Sequence, residues 1–267
     1  MSGGLKPHSN LGIIVLVGVL ASIGLYLLPK TLLQKEEQSE VQPADSSSKE
    51  MHTSLTDKQI DELSSIRLNN LDESTELKAL SDYFAKENIF DSAAFFQSSL
   101  SEIESSESNW LKTGDLYYQA YSLSLNPVIR EKQGELAREA YQKVLSINPR
   151  QLQAKTNSAM TYASSASPMQ TIMMLRQILE ENPRYIPAIM SMGALSMQSG
   201  QYDKAISRFE QVLTLEPESI NAKLGLAYSL IESGDTSKAK LLLIEISRHE
   251  VGEILQNEIS NTLKSLN

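Results

Sequence analysis

Chemistry at a protein site needs a nucleophile, an acid–base pair, a cluster of metal ligands or a phosphate cradle, and these 267 residues offer few of them. Cysteine is absent, which removes disulfides, thiolate metal sites, cysteine nucleophiles and a lipidated N-terminal cysteine together. The three histidines, His8, His52 and His249, stand alone in sequence, so neither a metal site nor a His-based catalytic pair is expected. The glycines never fall as G-x-x-x-x-G-K or G-x-G-x-x-G, which excludes those two routes to nucleotide binding. Carboxylates are plentiful, but Glu131, Glu135 and Glu139, and the pair Glu180-Glu181, sit at positions that suit solvated helical faces, with Glu135 and Glu139 opposed by Lys132 and Arg138. With 33 acidic residues against 24 basic ones and a net charge of −9, the chain lacks the basic excess on which nucleic-acid affinity rests. No catalytic residue, metal ion or cofactor is expected, and no nucleic-acid partner.

The elements that would position a binding surface fall into unlike parts. After a tail at 1–10, residues 11–28 form an apolar run with no charge at all. At ~1.5 Å per residue it spans roughly 27 Å, the thickness of a bilayer's hydrocarbon core. Leu32 and Leu33 extend it to a transmembrane anchor at 11–33, with Tyr26 as an interfacial aromatic and Lys30 and Lys35 placed to snorkel. A cleavable signal peptide competes with this reading, because Lys6 precedes the run. Against it, the run exceeds the roughly 7–15 apolar residues of such peptides and no small-x-small cleavage site follows. A buried core helix is the third reading, opposed by the polar tail and acidic linker on either side. Gly18 and Ser22 form a small-xxx-small pair through which two anchors would homodimerise. Residues 34–54 lack apolar periodicity and read as a flexible acidic linker, which leaves function to 55–267.

In that remainder Pro149, Pro183 and Pro217 recur every 34 residues, each closing a stretch of helical spacing. The same step superposes Ala154, Ala188 and Ala222, then Gly200 with Gly234, Lys204 with Lys238, Ala205 with Ala239, and Phe209 with Leu243. Small residues suit the close approach of two antiparallel helices, glycine a left-handed helix end, and proline a stop. A repeated helical hairpin follows. In the best copy Ile189, Met192, Gly193, Ser196, Ala205, Phe209 and Pro217 occupy the positions of the pattern W-x2-L-G-x2-Y, A-x3-F, P. On these residues the chain resembles the tetratricopeptide repeat family, whose period is also 34. Copies are placed near 75–105, 107–149, 152–185, 186–219 and 220–248. Asn88 stands for the turn glycine in the first. Trp110, Gly114, Tyr117, Ala137 and Tyr141 mark the second, whose helices are lengthened and meet near Asn126-Pro127. The turn of the third is degenerate, with Pro168 at a helix start. Ahead of the array, Thr56 to Gln59 resembles a capping box before Ile60, Leu63, Ile66 and Leu71. Behind it, Val251, Ile254, Leu255, Ile259, Thr262, Leu263 and Leu266 trace the stripe of a capping helix at 250–266.

The resemblance implies an all-α protein: an N-terminal transmembrane helix, then an α-solenoid of hairpins closed by a capping helix. It also implies a partner-binding concave face lined by the first helices. Carried over position by position, that face comprises Thr156, Met160 and Ser164; then Met190, Ala194, Met197 and Gln198; then Leu224, Tyr228, Ile231 and Glu232. It is not basic. Family members that grip chaperone C-termini use Lys, Arg and Asn there, and only Asn157, one position off, is present. A Met-rich and aliphatic lining suits a helix or an extended apolar segment of a protein partner; the alternative is that some of these side chains pack against neighbouring repeats or the C-terminal helix. The expectation is a non-enzymatic, membrane-anchored scaffold that recruits protein partners. The alternative function is a chaperone-like assembly factor for envelope proteins. The usual behaviour of bacterial N-terminal anchors would put the repeats on the periplasmic side of the cytoplasmic membrane, although the positive-inside count does not decide it.

Overall fold

A computed structural model describes residues 71–163 and 168–266. The tail, anchor, linker and helix expected between residues 1 and 70 lie outside the described residues, as does Ser164. Among the described residues there are eleven α-helices, and none is long and apolar enough to cross a membrane. They are α1 (Glu73–Lys86), α2 (Phe90–Ile103), α3 (Glu107–Leu123), α4 (Pro127–Ile147), α5 (Leu152–Met160), α6 (Pro168–Glu181), α7 (Ile186–Gln198), α8 (Tyr202–Leu215), α9 (Ile220–Ser233), α10 (Thr236–Ile246) and α11 (Glu253–Ser265). Consecutive helices pair as hairpins from α1/α2 to α9/α10, and the first helices α3, α5, α7 and α9 also touch one another in turn.

Local chemistry explains where each helix begins and ends. Asp72, Ser106 and Asp235 accept the backbone N–H three residues on, closing the starts of α1, α3 and α10. Asn126 Oδ1 accepts from Val128 and Ile129 while Pro127 opens α4, where a missing N–H costs nothing. Helices α4 and α8 stop two residues before Pro149 and Pro217, and the intervening Asn148 and Glu216 are extended, with ψ of 90° and 84°. Proline's ring disfavours the helical conformation at the residue before it.

The turns between hairpin helices use the left-handed region. Gly200 and Gly234 adopt φ of 70° and 95°, and Asn88 adopts 61° at the equivalent turn. Asn tolerates this conformation better than other residues with a Cβ, whereas a β-branched residue does not. Asn88→Val is expected to lower stability by about 1–2 kcal/mol, with Asn88→Gly tolerated; the urea midpoint of the two variants checks this.

Packing between helices rests on small residues facing rings. A Cβ on Gly114 would stand 2.5 Å from Tyr141, so α3 and α4 approach only because Gly114 has none. Phe209 of α8 is received by Gly193 of α7 and by Gly225 of the next hairpin, where a Cβ would stand 2.8 and 2.6 Å from the ring. One aromatic ring thus bolts two repeats together. Helices α3 and α4 have 17 and 21 residues, against 13 and 14 in α7 and α8. The extension carries the α3–α4 turn outward, leaving Leu125 and Val128 exposed at its tip.

Candidate partner-binding face

The face expected to meet a partner is built by the first helices, and the structure divides its residues into two groups. Met160, Met190, Ala194 and Ile231 are half-buried, and Gln198 and Glu232 are exposed. Thr156, Met197, Leu224 and Tyr228 are buried, at 2–5% exposure, and this corrects their assignment to the partner surface. The physical reason is lateral packing. Met197 lies in one core cluster with Phe209, Leu224 and Tyr228, between α7 and α9. Thr156 turns its hydroxyl back to Leu152 O at 2.8 Å. The same cluster takes in Ile259 of α11, which is fully buried, with Leu255, Leu263 and the following Leu266 packed against the cluster. The Tyr228 hydroxyl donates to Glu258 Oε1 at 2.8 Å, and burial, reinforced by that carboxylate, pushes the phenol's pKa up. Ile254, assigned to the same stripe, instead points to solvent at 66% exposure.

Lys223 occupies the position where the repeat pattern has tryptophan, and it is buried. Its ammonium donates to Glu245 at 2.8 Å and to Glu218 at 3.1 Å, and these hydrogen bonds raise its pKa above the ordinary lysine value. A cation thus fills an aromatic site because two acids close over it.

The same face continues into helices from which no site residue was expected. Counting from Leu77 and Trp110 as from Ile189 puts Lys78 and Leu111 at the place of Met190, and Asp82 and Asp115 at the place of Ala194. Repeating the alignment upstream would have found them. Asp82 accepts from Lys112 at 2.6 Å and Lys78 at 3.4 Å. Burial works to raise its pKa, but the two lysines outweigh it and the net shift is downward. Asp115 has a different setting. Its Oδ1 accepts from the Tyr141 hydroxyl at 2.8 Å and Asn157 at 3.0 Å, and its Oδ2 accepts from Gln153 at 2.7 Å. Burial holds this carboxyl above its usual range despite those three hydrogen bonds. Asn157 therefore serves this half-buried acid, and the face changes along its length from charged and polar at α1 and α3 to mostly apolar at α7–α9, where Met190, Ala194 and Ile231 stay half-buried.

Among the described residues no three His, Cys, Asp or Glu side chains gather closely enough to hold a metal ion. The carboxylates of Glu131, Glu135, Glu139, Glu180 and Glu181 are exposed. Glu131 pairs with Arg138 at 3.0 Å and Glu181 with Lys155 at 2.7 Å, which is the work of solvated faces.

Comparison with known proteins agrees with this geometry. A tetratricopeptide repeat family model matches residues 196–256. No curated protein matches the sequence. A tetratricopeptide repeat protein from Parabacteroides merdae superposes with a TM-score of 0.56 at 16% identity, covering 78% of this chain and 82% of that one. A thermophilic protein of the same repeat type from Thermus thermophilus superposes with a TM-score of 0.54 at 15% identity, covering 72% of this chain and 98% of that one. At these identities the likeness concerns the fold.

Proposed function

From a fold of the tetratricopeptide α-solenoid type, we propose that this chain is a non-catalytic scaffold that binds protein partners on the first-helix face and recruits them to a membrane through residues 11–33. The observation that carries the binding role is the accessible stretch of Met190, Ala194 and Gln198 on α7. It is apolar, polar-edged and unburdened by charge, which suits a helix or an extended apolar segment. The uncharged run at 11–28 supports the anchor. Tethering raises the effective concentration of any partner held at the same surface, so modest affinity suffices. The repeats lie on the periplasmic side of a bacterial cytoplasmic membrane in this reading.

Deleting residues 1–33 is expected to move the chain from the membrane fraction to the soluble fraction with unchanged helical content, and to carry its bound partner with it. Retention at the membrane would show that residues 1–33 are not the anchor. Arrival in the soluble fraction without the partner would count against the recruiting role. Capture of many unrelated apolar segments, in place of one partner, would favour the chaperone-like function.

A further inference from the structure

Asp115 differs from Asp82, the acid at the same place in the preceding repeat. It is half-buried in the seam between α3 and α5, and all three of its side-chain partners, Tyr141, Asn157 and Gln153, are neutral. Among the described residues no Lys, Arg or His lies within ion-pair distance of it, whereas Asp82, at the same place in the preceding repeat, is matched by Lys78 and Lys112. A carboxylate has about four lone-pair sites. Among the described residues Oδ1 has two donors and Oδ2 has one, so Oδ2 keeps an open acceptor beside the exposed Gln153. The charge is felt around it: it helps to raise the pKa of Tyr141, Tyr118 and Tyr185, in each case behind burial. Tyr118 lies one turn along α3, packed against the core of the α3–α4 hairpin, and stacks on Tyr121 at 6.0 Å.

We propose that Asp115 is the anchoring point for a cationic side chain, arginine before lysine, carried by the polypeptide that docks on the first-helix face. A guanidinium donates to Oδ2 through its planar fork and supplies the missing counter-charge. The partner segment is thus apolar where it meets α7 and basic where it meets α3 and α5, in keeping with the chain's net charge of −9. This assignment rests on the protein-binding reading above.

The test uses the full chain in detergent micelles and an array of random linear peptides. Bound peptides are expected to be enriched in arginine or lysine at one position. Replacing that arginine by glutamine in the peptide should weaken binding roughly tenfold or more. Asp115→Asn should weaken the parent peptide equally and make the two peptides equivalent, as a closed double-mutant cycle requires. If Asp115→Asn does not fold, the peptide substitution on the unaltered chain decides. Peptides that bind with no basic position, or with equal affinity to Asp115→Asn, overturn the inference and leave the scaffold standing. A chain that holds no peptide overturns both.

Discussion

Replacing Phe209 by alanine is expected to lower stability by about 3–5 kcal/mol, the cost of a fully emptied aromatic site. The ring is 2% exposed and fits against two glycines from different hairpins, Gly193 and Gly225. Neither glycine has a side chain that can move into the space, so the cavity stays open. In a repeat array each hairpin leans on its neighbours, and the loss should therefore spread by contact. Amide exchange is expected to accelerate from α7 to α10 and to remain at wild-type rates in α1 and α2. A uniform acceleration, or none, would show that the ring does not couple two repeats.

The second large effect concerns Met197, which the repeat pattern places on the partner surface and the structure places in the core at 5% exposure. Met197→Glu is expected to cost about 3 kcal/mol or more at neutral pH, since an unpaired carboxylate would be held among Phe209, Leu224 and Tyr228. The sign of its pH dependence follows from burial. Desolvation raises the introduced carboxyl's folded pKa above its unfolded value of about 4.3. Its penalty is then absent below the unfolded pKa and grows as pH rises toward the folded one. The gap in melting temperature between Met197→Glu and wild type should narrow as the pH falls toward about 4, while Met197→Leu stays close to wild type throughout. Wild-type stability of Met197→Glu at neutral pH would return this residue to the partner face.

These two residues also show where sequence reasoning succeeds and where it stops. Phe209, Gly193 and Pro217 report local facts, a ring facing a missing Cβ and a helix that must end, and local facts recur at a fixed spacing. Asn88 was readable for the same reason, because its left-handed φ of 61° is a property of one turn. The free face was not readable in that way. Tyr228 is buried by Glu258 and its neighbours, 30 residues further on, in a helix outside the 34-residue period. The partners of Asp115 lie 26, 38 and 42 residues away, across a hairpin whose lengthened helices break the spacing. Lys223 is sheltered by Glu245 from the following helix, so a lysine at a core position has no signature of its own. Periodicity identifies the positions that can face a partner; neighbouring helices determine which of them remain available.

Ala194 on α7 is half-exposed on the first-helix face, and Met173 on α6 is 58% exposed on a second helix. A photo-crosslinking amino acid placed at each in turn, in the full chain inside living cells, compares the two surfaces directly. The expected result is a partner polypeptide crosslinked from position 194 and none from position 173. Crosslinking from 173 alone, or from neither position, would contradict binding through the first-helix face.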